Sequence, residues 1–389
     1  MAITLLVTDK NLNVVGDPID DWTSLKVTRN DNAPHSGELT VTARPEVMAQ
    51  LQPGNRLVVL RDGAIWTAGP MEVPQDWQEG LSGSDGGSDA PPPGEVTVNF
   101  TNDLAVIAGR LTYPNPAQPA ASQTVESYVR TNVGAETILR DLVNLNAGPG
   151  ALVPRRIPQL VLGAVAGVGT NTSLTTRFEP LGDVLRSVAL AGGDLAFGTF
   201  QVDDTIEFRV WQRRDLTATA RFSFDLNNLR HVHYKLSAPT VTSAIVGGSG
   251  EGTTRTVVEV TDAAAEAAWW RVEKWVDQGG VENDTNGELT KAGQEALASG
   301  AAPVELSTLT VDTDDLQAGR DFAVGDLVTI ALPTGVEVAE YVRSDTLTAT
   351  PDGGESVVSV IGTPDATTDR RMVQLIREMS RRLGRLEAR

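Results

Sequence analysis

The chain has 389 residues, 40% of them hydrophobic, with 37 glycines and 21 prolines; that is enough apolar material for two to four domains and suits a turn-rich, β-rich protein. A net charge of −19 and a pI near 4.6 exclude a protein held on nucleic acid by phosphate contacts, which needs a basic face, but not an acidic conduit that DNA passes without sticking. Without cysteine there is no disulfide framework and no thiolate metal site. The opening MAITLLVTDKN lacks the basic segment of a signal peptide, and no apolar run approaches the roughly 20 residues of a membrane span, so the chain reads as soluble, made in the cytoplasm, with no stable membrane binding. Arginine supplies 27 of the 32 basic residues, a bias that points to a GC-rich genome.

Residues 2–116 read as all β. Ile3, Leu5 and Val7 alternate, as do Leu25 and Val27, then Leu39, Val41 and Ala43. PGNRLVVLRDGAIWTAGPM, residues 53–71, is a hairpin turned by Asp62-Gly63. The breaker-rich stretch from Gly80 to Gly94 reads as a loop inside the domain, because strand pattern resumes at Val96, Val98 and Phe100. After GRLTYPNP, residues 109–116, a linker is expected, and the period then changes to helical. Ala135, Ile138, Leu139, Leu142 and Val143 share one face, and a second helix begins at Pro180 and stops at Gly192-Gly193. Strands at 195–200 and 206–211, turned by Asp203-Asp204, complete a small α/β domain over 117–240.

The β pattern returns at 241–246 and 257–260. DAAAEAAWW, residues 262–270, fits either a helix or a strand, and 286–300 reads as a helix. Strands at 304–311 and 357–361 flank VGDLVTIALPTGVEVAEYV, residues 324–342, a second hairpin turned by Pro333-Thr334-Gly335. Its likeness to the 53–71 hairpin suggests two related β-domains, 1–116 and 241–366, with residues 300–366 sharing the fold of the first; two ordinary hairpins are the alternative. In residues 367–389, Met372, Ile376, Met379, Leu383 and Leu386 are spaced as a coiled-coil seam, with Leu375 widening the apolar face. This helix carries seven arginines and two glutamates in residues 370–389, +5 against −24 for the rest. Such a seam is expected to associate copies of the chain, the alternative being a helix packed on its own domain.

Signatures of chemistry are sparse. His231 and His233 would share one face of a strand, but no third metal ligand is identifiable; His35, in NAPHSG, reads as a surface residue. There is no G-x-S-x-G elbow. GGSGEG, residues 247–252, is followed by neither Lys-Ser/Thr nor a helix pattern, so it is not a phosphate loop. Asp203 with Glu207 could be named as a glycosidase pair, though 51 acids produce such pairs by chance. Asp85 and Asp89 read as solvated loop residues rather than ligands. Trp269, Trp270 and Trp275 could stack on sugars, but burial in a β-core is the expected reading. No catalytic residue, metal site or cofactor is expected.

Taken in order, the β-domain ending in GRLTYPNP, the helix AETILRDLVNLNAGPGALVPRRIPQL, the hairpin after FAVGDLVTI and the closing RRLGRLEAR resemble the baseplate hub, or Gp37-like minor tail, proteins of siphophages infecting high-GC Gram-positive bacteria. The resemblance covers nearly the whole chain. It implies a mainly β fold with an α/β insertion: two tube-like β-barrel or sandwich domains flanking a small α/β domain, then a C-terminal trimeric coiled coil. It further implies a homotrimeric structural virion protein at the tail tip, closing the tail tube and matching its sixfold symmetry to a threefold tip or fibre. The implied partners are a distal tail protein ring, the tape measure protein and other minor tail or fibre proteins, with DNA present only in transit. Many hubs continue into a lytic or fibre extension; this sequence stops at Arg389, so those roles would fall to other proteins. A carbohydrate-binding adhesin and a cell-wall hydrolase are the rival readings.

Overall fold

The computed structural model describes residues 3–72, 76–77, 94–236, 238–284, 287–300, 304–351 and 353–362. The chain opens with strands β1 (Ile3–Thr8), β2 (Trp22–Asn30) and β3 (Ala33–Thr42), helix α1 (Pro45–Gln50), the hairpin β4 (Arg56–Arg61) and β5 (Ala64–Pro70), β6 (Asp76–Trp77) and β7 (Glu95–Thr101). The period-two pattern sets their faces: Leu5 and Val7, Leu25 and Val27, Leu39 and Val41, and Val96 and Val98 are all buried. The expected β4–β5 turn has φ of 51° at Asp62 and 79° at Gly63, a backbone whose twist suits a two-residue hairpin.

Next come α2 (Leu104–Ala108), β8 (Tyr128–Gly134), α3 (Ala135–Asn146), β9 (Leu160–Leu162), β10 (Asn171–Thr176), α4 (Leu181–Ala191) and the hairpin β11 (Ala196–Val202) and β12 (Thr205–Trp211). Ile138, Leu139, Leu142 and Val143 of α3 are wholly or almost wholly buried. At roughly 1.5–3 kcal/mol per buried side chain, their burial holds a helix too short to persist alone in water. They share one core with Leu185 of α4, Phe208 of β12 and, from far outside 117–240, Leu12, Leu104 and Ile107.

β13 (Arg221–Phe222) and β14 (Leu229–Leu236) follow, then β15 (Ser243–Gly247), β16 (Val257–Thr261), α5 (Ala263–Ala268), β17 (Glu273–Asp277) and α6 (Glu288–Gly300). The last described strands are β18 (Val304–Val311), β19 (Leu327–Ala331), β20 (Glu337–Thr350) and β21 (Gly354–Gly362). β19 and β20 form the second expected hairpin. Its loop is closed by Leu332 N to Val336 O (2.8 Å) and Gly335 N to Leu332 O (2.9 Å).

The largest sheet runs β14-β18-β21-β20-β2-β3-β7-β6, with β19 joined to β20 and β13 to β19. Its centre is the antiparallel β2–β20 ladder, which sets Leu25 opposite Ala349, Val27 opposite Leu347 and Asn30 opposite Ser344. Residues 25–30 and 344–349 therefore lie side by side in one sheet. One correction to the sequence reading follows: no sheet closes into a barrel among the described residues. The two halves that meet at the ladder run, in the same direction, β14-β18-β21-β20 and β2-β3-β7-β6, so each places its strands of this path in the order first, second, fourth, third. The first of the later four, β14 (Leu229–Leu236), lies before residue 241, where the second β-domain is expected to begin.

The chain divides into two units, residues 1–231 with 308–389, and residues 232–307. This differs from divisions at 116, 240 and 366, because the α/β segment shares its core with the first strands while residues beyond 308 enter the sheet of β2. The second unit is a three-stranded sheet, order β16-β15-β17. α6 covers one face, packing Leu289 and Ala296 on Ala244 and Val246. The ambiguous DAAAEAAWW stretch is helix only as far as Ala268. Asp262 caps that helix, accepting from the amides of Ala264 (3.1 Å) and Ala265 (3.0 Å), and strand begins at Glu273. Met372, Ile376, Met379, Leu383 and Leu386, like Asp85 and Asp89, lie outside the described residues.

Candidate functional site

Among the described residues no catalytic group is assembled; what the fold assembles is a charged clasp where β2 and β20, far apart in the chain, meet. Arg29 on β2 donates Nε (2.9 Å) and Nη2 (2.6 Å) to the fully buried Asp345 on β20. Its guanidinium carbon also lies 3.4 Å from the centroid of the Trp66 ring, and that of Arg61 lies 4.8 Å from the same ring. Arg61 in turn donates to Glu355 Oε1 (2.9 and 2.7 Å), to the Ala318 carbonyl (2.8 Å) and to Asp312 Oδ2 (3.3 Å). Gly319, at φ +86°, leaves room for the indole; a Cβ there would come within 2.6 Å of Trp66 Cζ3. Nearby, Arg213 Nη1 donates to Asp31 Oδ1 (2.8 Å) and Arg343 Nη1 to Asp31 Oδ2 (3.2 Å). Residues 29–66 are thus tied to residues 312–355 by charge-assisted bonds with low exposure, the kind whose loss leaves a buried charge unpaired.

Burial sets the ionisation here. It pushes the Asp312 carboxyl up to about 6, against the pull of the Ala318 amide and Arg61. It also raises Asp103, although the Arg56 guanidinium opposes this. Burial, with Arg29 nearby, pulls His35 down to about 3, so the imidazole is neutral; its Nδ1 lies 3.1 Å from Thr67 Oγ1. Beside the clasp is a cavity of about 230 Å³ walled by Trp66, Phe197, Phe200, Trp211, His35 and Arg29, among others. The two acids on its wall are already engaged, Asp31 by Arg213 and Arg343, and Asp103 by Arg56.

His35 is therefore not the surface residue expected: NAPHSG enters β3 rather than an exposed turn. Its depressed value makes a prediction. Stability owed to the neutral ring is complete above its ordinary value of 6.5 and is lost as pH falls toward 3. At pH 5 the loss reaches about 2 kcal/mol, at 1.36 kcal/mol per unit. His35→Gln should remove that component, so the wild-type-minus-variant difference in urea-unfolding free energy should shrink between pH 7 and pH 5. A constant difference would show that His35 does not titrate on unfolding.

The other nominated residues do not converge. His231 and His233 both lie on β14, and among the described residues no group of three or more His, Asp or Glu could hold a metal ion. Asp203 sits in the β11–β12 turn at φ 49°, whereas Glu207 accepts from Arg209 Nε at 2.7 Å. GGSGEG is a turn whose Gly247 and Gly248 carbonyls accept from Arg255. GRLTYPNP is packed in place. Thr112 is buried and exchanges backbone bonds with Phe178 and Glu179, and Tyr113 lies under Arg155, 3.6 Å from its guanidinium carbon. The tryptophans reverse the expected burial: Trp270 is 81% exposed, Trp275 51% and Trp269 36%.

No curated protein matches the chain. Among solved structures, it is similar to the 43 kDa tail protein of prophage MuSo2 from Shewanella oneidensis, with a TM-score of 0.53 at 12% identity, covering 92% of this chain and 97% of that one. It is similar to a tail protein from Neisseria meningitidis MC58, with a TM-score of 0.52 at 12% identity, covering 93% and 97%. The fold is thus that of phage tail proteins. The family model described as Siphovirus ReqiPepy6 Gp37-like protein matches residues 4–363. By that match the chain belongs to the Siphovirus ReqiPepy6 Gp37-like family, whose members are structural phage tail proteins and not enzymes.

Proposed function

We propose that this tail protein is the hub of the tail tip, a homotrimer that closes the tail tube and joins its sixfold symmetry to a threefold tip or fibre. The observation that carries the reading is the β2–β20 ladder. It sets two half-sheets of the same strand order, β14-β18-β21-β20 and β2-β3-β7-β6, side by side in a single surface, so three chains would present six half-sheets. Closed oligomers of this kind reuse one interface around the axis. The clasp around Trp66 fits this role, because a half-sheet that moved against its neighbour would spoil the match to a ring above. The partners on this reading are a distal tail ring, the tape measure protein and minor tail or fibre proteins, with DNA passing through the bore. The charge of −24 on residues 1–369 would line that bore with repulsive potential.

The Met372–Leu386 seam is proposed as a clamp for three chains. Isolated helices shorter than about 12–15 residues are marginal in water, and Gly384 costs about 1 kcal/mol more in a helix, so the clamp aligns chains that the body also holds. Light scattering is expected to give the mass of three chains for the full-length protein. Ile376→Asp and removal of residues 367–389 should each shift the trimer toward monomer on dilution, with unchanged circular dichroism of the body. A full-length monomer at every concentration would contradict the intrinsic trimer, and a trimer indifferent to both changes would contradict the clamp.

A further inference from the structure

We infer that the second unit carries a binding face for a neutral saccharide chain, built on the side of its sheet that α6 leaves bare. Strand alternation and register put Ser243, Ile245 and Gly247 of β15 on that side. They face Thr261, Glu259 and Val257 of β16, and Glu273, Trp275 and Asp277 of β17. The opposite side carries Ala244, Val246, Val258 and Val276 and is closed by α6. The bare side thus has one broad indole set among hydroxyls and carboxylates.

The two tryptophans are exposed, Trp275 with its ring packed and Trp270 with its backbone anchored. Trp275 is 51% exposed and packs over Gly247, where a Cβ would come within 2.5 Å of its ring. The guanidinium carbon of Arg255 lies 5.1 Å from the ring centroid, and that side chain is itself tied to the Gly248 carbonyl at 2.7 Å. Trp270 is 81% exposed, but its carbonyl accepts from Thr242 Oγ1 at 3.1 Å, pinning the backbone below the indole. Between them Arg271 is held by Glu259 (2.6 Å), Glu273 (2.8 Å) and Glu266 (3.4 Å). Polar groups held in this way cost little ordering entropy when a ligand arrives.

This chemistry selects the ligand class. A sugar ring offers a flat C–H surface for an indole and hydroxyls for carboxylates and guanidinium groups. Residues 232–307 contain eleven acidic and five basic side chains, so nucleic acid and anionic wall polymers are repelled. A protein hot spot needs its aromatic anchors ringed by groups that exclude water; here Trp270 stands almost free, beside Arg271 and its carboxylates. The inference is independent of the trimeric hub reading, since the face lies wholly within one unit of one chain.

The test is affinity electrophoresis of the full-length protein in gels containing a β-glucan, a galactan, an arabinogalactan or a mannan. At least one polysaccharide should retard the protein. Trp270→Ala and Trp275→Ala should each weaken that retardation by about tenfold, the order expected for losing one aromatic stacking contact. Both positions are exposed, so the variants should keep the wild-type unfolding midpoint, and Trp275→Phe should retain more retardation than Trp275→Ala. Migration unaffected by all four polysaccharides would overturn the inference. So would retardation indifferent to both alanine changes, or a loss of assembled mass in the variants, which would mark the face as a protein contact.

Discussion

Arg61→Ala is expected to lower the stability of the unit formed by residues 1–231 and 308–389 by roughly 3–5 kcal/mol, the cost of breaking a buried ion pair from one side. The side chain is 7% exposed and its partners Asp312 and Glu355 are 16% and 12% exposed. Removing it strands two carboxylates and takes the donor from the Ala318 carbonyl. Against a typical total of about 5–15 kcal/mol, that is a large fraction. Chemical denaturation followed by tryptophan fluorescence should show the midpoint falling sharply. The pH dependence supplies a second arm. The folded-state value of Asp312, about 6, lies above its ordinary 3.8. Its contribution is therefore most favourable below 3.8 and is lost as pH rises through 6. Without Arg61 the carboxyl should rise further, so the gap between variant and wild type should narrow on going from pH 7 to pH 5. An unchanged midpoint at pH 7 would show that the clasp adds nothing to the fold.

Gly69→Ala is expected to cost about 3 kcal/mol, the upper end for overpacking a closed site. A Cβ at Gly69 would press on the Thr101 carbonyl oxygen and come within 2.5 Å of Asn102 Cα, main-chain atoms that no rotamer change can move. Here β5 meets the turn from β7 into α2, with Asp103 N donating to Ala68 O at 3.1 Å. Relief requires the two segments to part, which would also pull Asp103 from Arg56 Nε, now at 2.9 Å. Gly54→Ala is the control. Its Cβ would meet nothing, so only the positive φ of 86° opposes it, at roughly 1–2 kcal/mol. Gly69 has no positive φ, so a loss there no larger than at Gly54 would show that the close approach relaxes at little cost.

Most strands and the longer helices were legible because they bury one face. Ile138, Leu139, Leu142 and Val143 mark α3, and Val328 with Ile330 marks β19, by period alone. The short α1 and α2 lack two full turns of pattern. β8 and β10, YVRTNVG and NTSLTT, are largely exposed, so few apolar residues betray them. The pairing of β2 with β20 leaves no local trace, since a strand's sequence records which face is buried but not which strand lies beside it. The clasp was hidden too: Arg29, Arg61, Asp312 and Asp345 look like ordinary surface charges until β2 and β20 meet. The exposed tryptophans were misjudged because a β-rich context suggested a core that the three-stranded second unit is too small to provide on both sides.

On the proposed hub arrangement, three copies of this chain sit at the tail tip with their paired half-sheets beneath a sixfold ring. Cryo-electron microscopy of the distal tail of virions carrying this protein, reconstructed without imposed symmetry, tests it most directly. The expected density shows three chains around the tube axis, each contributing the half-sheets on both sides of β2–β20, with acidic side chains toward the bore. Six copies, one copy, or placement of the chain away from the tube's distal end would contradict it.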